Sequence, residues 1–247
     1  MFATYVGARA SSFRWVAGQD RIETYPSSPQ GKRSFCGICG SVTPIEAPEL
    51  EMVFVPAGSL EGALGIRPQS HIFVGSKAPW WPITDGLPQH EKFPPPHEAP
   101  DVPRPSVAAK PGSTHGGCLC GDVEFEFDGP PVVVMNCHCS RCRCSRGAAH
   151  ATNAFVAADA FRFIGGTPRL IRFDLPGARV FGTTFCARCG SMAPRHIPAA
   201  DRFLVPCGSL DSDPGLAPRA HIHVGSKAEW YEITDSLPQF AEGPPKA

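Results

Sequence analysis

Apolar and polar residues alternate along much of the second half of the chain. DVEFEFD (122–128) switches at every position and predicts a half-buried strand, and PVVVMNC (131–137) is a short apolar run of strand length. FRFIGGTPRLIRF (161–173) holds two alternating runs around Gly165 and Gly166, the pattern of a hairpin. ARVFGTTFC (178–186), RFLVPCGSL (202–210) and AHIHVGS (220–226) add further short strands, while ATNAFVAADAF (151–161) fits either strand or helix. No apolar stripe of helical period runs beyond two turns, and 28 prolines and 25 glycines favour many turns. The expected class is mainly β, with cysteine knuckles on the loops.

The pattern also repeats. CGICGS…VPAGSL…HIFVGSKAPWWPITDGLPQ (36–89) returns as CARCGS…VPCGSL…HIHVGSKAEWYEITDSLPQ (186–239), in constant register and with about half the positions identical. FRWVAG (13–18) matches FRFIGG (161–166), so the first copy begins at a point just past NCHCSRCRCSRG (136–147) of the second. Three segments are therefore expected: an incomplete copy (1–92), a semi-rigid proline-rich linker (93–114) and a complete copy (115–247). A start assigned too far downstream would produce the same truncation.

Charge narrows the choice of partners. Basic and acidic residues balance at 23 each, and no basic run or row of stacking aromatics is present, which argues against nucleic acid. No apolar run approaches the ~18 residues of a membrane span, and the N-terminus lacks the apolar core of a signal peptide. Cytoplasm is the expected compartment, where clustered thiols hold metal more often than they form disulfides.

The 11 cysteines supply the candidate chemistry. Cys118 and Cys120 in GGCLCG, with Cys186 and Cys189 in FCARCGS, form two separated pairs, each followed by glycine; four sulfurs from two loops suit a closed structural zinc site. The alternative is four unpaired buried cysteines. Cys137, Cys139 and Cys142 form C-x-C-x-x-C, three local sulfurs that leave one corner of a tetrahedron open, as a catalytic zinc requires. Cys144 either closes that corner or is a free thiol. Arg141, Arg143 and Arg146 in the same stretch either bind anionic substrate groups or are solvated. His138, between two candidate ligands, is expected to point away from a metal. His221, Lys227 and Trp230 recur as His71, Lys77 and Trp80 in a copy without the cluster, which favours packing roles, and Cys207, replaced by Ala57, reads as a small buried residue. Cys36 and Cys39 are half of a four-sulfur site: vestigial, completed by another chain, or completed by residues ahead of the present start.

In order and spacing, these cysteines, together with HIHVGSKAEWYEITDSLP, resemble the glutathione-dependent formaldehyde-activating enzyme family, a group that includes centromere protein V. The resemblance covers residues 115–240; the first copy matches only the later part. It implies an Mss4-like β fold, a structural zinc on Cys118, Cys120, Cys186 and Cys189, and a catalytic zinc on Cys137, Cys139 and Cys142. The implied activity is a carbon–sulfur lyase reaction joining glutathione, as co-substrate, to formaldehyde, with the arginines facing glutathione carboxylates. The expected partners are a small thiol and an aldehyde, with a homodimer possible. The competing expectation is a non-catalytic zinc scaffold or interaction module.

Overall fold

The computed structural model describes residues 2–29, 31–97, 99, 102 and 110–244. Much of the linker expected at 93–114 lies outside the described residues. Strands dominate. The first copy carries β1 (Tyr5–Arg9), β2 (Ile22–Pro26), β3 (Lys32–Cys36), β4 (Ile45–Ala47) and β5 (Met52–Pro56). Next come β6 (Ser113–Gly117), β7 (Glu124–Asp128), β8 (Val133–Cys137), helix α1 (Ser140–Arg146), β9 (Ala151–Ala157), β10 (Phe161–Gly165), β11 (Leu170–Asp174), β12 (Gly182–Cys186), β13 (Arg195–Ile197), β14 (Arg202–Pro206) and β15 (His221–Ile222). Among the described residues no helix is long and apolar enough to cross a membrane.

The complete copy is built on a five-stranded sheet, β13-β14-β9-β8-β15, and a three-stranded sheet, β10-β7-β6. Its core is the product of two-residue periodicity: Phe125 and Phe127 from β7 meet Val134, Ala154, Val156, Phe161 and Val205. Burying the phenylalanine and valine side chains among them supplies roughly 1.5–3 kcal/mol each. Glu126, pointing the other way from β7, is covered by Arg162, whose Nε donates to Oε1 at 2.7 Å. The ambiguous stretch at 151–161 is strand β9 followed by a single 3-10 turn, because β8 and β14 bind it on both edges.

The expected hairpin at 161–173 does not form. β10 pairs with β7, whereas β11 pairs with β12 in a separate ribbon. Between them Gly166 adopts φ 75°, and a Cβ there would lie 1.8 Å from the Asp122 carbonyl oxygen. The chain therefore changes sheets at this glycine instead of folding back on itself.

The first copy shows what that pairing depends on. Strands β1, β2, β3, β4 and β5 repeat β9, β11, β12, β13 and β14, with β4-β5-β1 and β2-β3 hydrogen-bonded as in the complete copy. FRWV (13–16), the match to β10, is not a strand. β10 is held by β7, and residues 1–92 contain no counterpart of β7, so Val16 is left 88% exposed.

The copies meet through matching residues. The rings of Phe35 and Phe185 pack edge to face, the hydroxyls of Thr84 and Thr234 share a hydrogen bond, and Gly40 and Gly190 each lie against the other copy's phenylalanine. Equivalent residues touching each other mark a two-fold interface, here folded into one chain.

Candidate metal centres and their surroundings

Strand ends and turns bring the cysteines into two groups. The Sγ atoms of Cys118, Cys120, Cys186 and Cys189 all lie within 4.8 Å of one another, and all four residues are buried. Cys118 and Cys120 occupy the turn after β6; Cys186 closes β12, and Cys189 follows in a tight knuckle. Gly121 and Gly190 adopt φ 79° and 67°, the left-handed conformation that lets each turn double back. The Val123 N–H points at Cys118 Sγ at 3.2 Å, and the Cys189 thiol lies 3.3 Å from Ser191 Oγ. Burial pushes the Cys120 thiol up to about 12, while hydrogen bonds from Cys118 and Cys186 hold Cys189 far below its usual range. Four sulfurs crowded this closely are a donor set for a tetrahedral soft cation with no position left for substrate.

The second group is Cys137, Cys139 and Cys142, again mutually within 4.8 Å. Cys137 ends β8, clamped between Ala151 of β9 and Ile222 of β15. Cys139 caps α1, its sulfur accepting the Cys142 N–H at 3.4 Å, so Cys142 sits in the first helical turn and not on a loop. The negative charge is unevenly held: hydrogen bonds from Cys137 and Cys142 lower Cys139 to about 2, and Cys137 is raised to about 11 by its hydrogen bond to Cys139. Cys142 is raised as well, first by its hydrogen bond to Cys137. Cys144 lies outside the group, half-buried, its thiol pushed up by burial. Three sulfurs of this chemistry fit zinc and complete only three of four corners.

A string of histidines braces the C-x-C loop. His138 Nε2 is 2.8 Å from His221 Nδ1, and His221 Nε2 is 3.0 Å from the Asp235 carboxylate. Asp235 accepts the His221 proton, which leaves His221 Nδ1 to accept from His138 Nε2–H. The His138 backbone N–H donates to Ile222 O at 2.9 Å. Burial lowers His138 to about 3, so its ring is neutral and turned toward His221. His150 packs beside it at 5.1 Å between ring centres, with Phe2 and Trp81 of the first copy at 5.6 and 5.9 Å.

Recurrence in the repeat proves an incomplete guide to His221. His71 and Asp85 keep the same hydrogen bond at 2.9 Å, but no residue of the first copy matches His138, so among the described residues the contact with His138 belongs to the complete copy. Trp230 is buried in a small apolar cluster with Ala57 and Ala149, Lys227 donates to the Ala228 and Tyr231 carbonyls, and Cys207 is a core residue. The arginines of α1 separate. Arg141 is exposed; Arg143, buried, directs Nη1 toward Gly58 O of the first copy, and Arg146 lies three residues further on that side. Cys36 and Cys39 keep a knuckle like that of Cys186 and Cys189, with Gly40 N–H to Cys36 O at 2.8 Å, yet they join no group of three ligands among the described residues. Asp235, His150 and Arg33 were not singled out in the sequence. Asp235 alone left a signal there, as the repeated ITDxLPQ motif.

A family model described as glutathione-dependent formaldehyde-activating enzyme matches residues 1–76 and 113–226. No curated protein matches the chain. A crystal structure of a Rhodobacter sphaeroides protein is similar, at 25% identity over 51% of this chain and 98% of that one, with a TM-score of 0.35.

Proposed function

The chain belongs to the glutathione-dependent formaldehyde-activating enzyme family, and from that premise we propose that it joins a small thiol, with glutathione the first candidate, to an aldehyde at the Cys137–Cys139–Cys142 group. One observation carries the reading: this group stops at three sulfurs, whereas the other has four. In the net reaction the thiol sulfur bonds to the carbonyl carbon, the carbonyl π pair moves to oxygen, and the thiol proton ends on that oxygen. When bound, a zinc ion at the three sulfurs supplies Lewis acidity and lowers the pKa of a thiol brought to it.

The remaining work belongs to the chain. β8, β15 and the Asp235–His221–His138 string hold the C-x-C loop still, and the first turn of α1 fixes Cys142 against it. Rigid support of this kind sets ligand direction, and its loss typically costs 10- to 100-fold in metal affinity. Cys144 on α1 leaves the open corner to substrate.

The test is metal content together with catalysis. The wild-type chain should carry two zincs, and adduct formation should exceed the uncatalysed reaction in proportion to enzyme. A progress curve identical to buffer at every enzyme concentration refutes the formaldehyde assignment. A scaffold role becomes the better reading for the whole chain if Cys137→Ser unfolds the protein as badly as Cys118→Ser.

A further inference from the structure

A cavity of about 370 Å³ lies where the two copies meet, next to α1. It is lined by Tyr5 and Arg33 from the first copy and by Arg146, His150 and Asp211 from the complete one. Arg146 follows Cys142 by four residues and so shares its face of the helix, about 6 Å further along the axis. Arg33 comes from β3; its Nη2 donates to Gly190 O at 3.3 Å, and its Nε is buried without a partner. Among the described residues Asp211 is the only carboxylate in the lining, and its Oδ2 lies 2.6 Å from His115 Nδ1. Burial lowers both guanidinium groups, Arg146 to about 10.

Two cations facing one small, partly enclosed space are costly unless an anion joins them. Guanidinium groups favour planar oxyanions, which they grip through paired N–H donors. The volume accommodates the end of a small molecule. Arg33 is also particular to the first copy: the matching residue, Thr183, instead donates its hydroxyl to Cys39 O. We infer that this cavity is the subsite for a carboxylate of the thiol substrate, held by Arg146 of the complete copy and Arg33 of the first. The inference rests on the thiol–aldehyde reading above, and it makes the first copy a working part of the substrate site.

The probe is S-methylglutathione, whose sulfur has no proton to lose, compared with its diethyl ester, in calorimetric titrations of the full zinc-loaded chain. Wild type should bind the acid about 10- to 100-fold more tightly than the ester. Arg33→Gln should erase that preference and leave ester binding unchanged, and Arg33→Lys should retain part of it. In turnover, Arg33→Gln should raise KM for glutathione with kcat held, and leave KM for 2-mercaptoethanol, which has no carboxylate, as it was. Equal binding of acid and ester by wild type overturns the inference, and so does an undiminished preference in Arg33→Gln. If Arg33→Gln fails to fold, the wild-type comparison and Arg33→Lys still decide. A chain that forms adduct without any carboxylate preference refutes only the subsite; one that forms none refutes the parent reading.

Discussion

Phe35 and Phe185, one repeat apart, meet edge to face at 6.3 Å between ring centres. Each ring also fills the space beside the other copy's knuckle glycine: a Cβ on Gly190 would lie 2.3 Å from the Phe35 ring, and one on Gly40 would lie 2.5 Å from that of Phe185. The glycine that lets the structural knuckle turn is thus also what lets the partner copy approach. Metal-site geometry and the inter-copy interface meet at this residue.

Gly190→Ala should therefore damage both. The residue sits at φ 67°, where a side chain costs about 1 kcal/mol, and the new methyl overlaps Phe35 for about 1–3 kcal/mol more. Thermal melting of the zinc-loaded chain should show a drop of several degrees. An unchanged melting temperature would mean that the copies do not pack in this way.

Gly58 and Gly208 are equivalent positions with opposite surroundings. A Cβ on Gly58 would lie 2.3 Å from Ala148 N and 2.6 Å from Arg143 O, directly under the end of α1, whereas Gly208 has nothing within 4 Å. Gly58→Ala should cost about 1–3 kcal/mol and weaken zinc retention at the three-sulfur group, while Gly208→Ala should stay within about 0.5 kcal/mol of wild type. Denaturant melts of the two variants, with a metal assay, check the contrast.

Much of this was readable from sequence where the signal is local. The alternation in DVEFEFD marks β7, and cysteine spacing sorts seven sulfurs into four and three. What escaped depends on elements far apart in the chain. FRFIGG and PRLIRF look like a hairpin until β7 and β12 claim one run each. FRWV has the β10 pattern but no β7 to bind it. His221 looks like a packing residue because His71 repeats it, and only the fold brings His138 to its other nitrogen. Arg33 carries no motif, and its meaning arises only where one copy faces the other.

Removing cysteines should separate the two metal groups. Cys118→Ser takes one of four ligands from a site whose zinc affinity, about 10–16 kcal/mol in small zinc domains, is folding free energy. It should unfold the complete copy or destabilise it severely. Cys137→Ser should cost one zinc per chain and leave the far-ultraviolet circular dichroism of wild type. Metal analysis and melting of both variants test the assignment.

Asp235→Asn keeps the shape of the side chain but removes the charge that orients His221. Asp235 is a positioning residue, so the expected effect is on the sulfurs beyond it: about 10- to 100-fold weaker zinc binding at the three-sulfur group, measured by chelator competition, with the four-sulfur zinc unaffected. Asp235→Glu should recover part of the loss. Equal weakening at both groups would signal general unfolding and refute the positioning role.

His150 should make the fold acid-sensitive. It is buried among His138, His221 and Tyr231 of its own copy and Phe2 and Trp81 of the first, and burial holds its folded pKa well below 6.5. An unfolded chain takes up a proton as pH falls through about 6.5, and the folded chain does not, so stability is complete above that pH and declines below it. The slope for one such residue approaches about 1.4 kcal/mol per pH unit. Phe2 occupies the matching position of the first copy, so the repeat itself supplies the substitution His150→Phe, a ring of similar shape that cannot take up a proton. Denaturant melts between pH 7 and pH 5 should show a shallower decline for the variant, by about one proton. Parallel curves would mean that His150 takes up its proton in the folded state and that the pocket around it admits water.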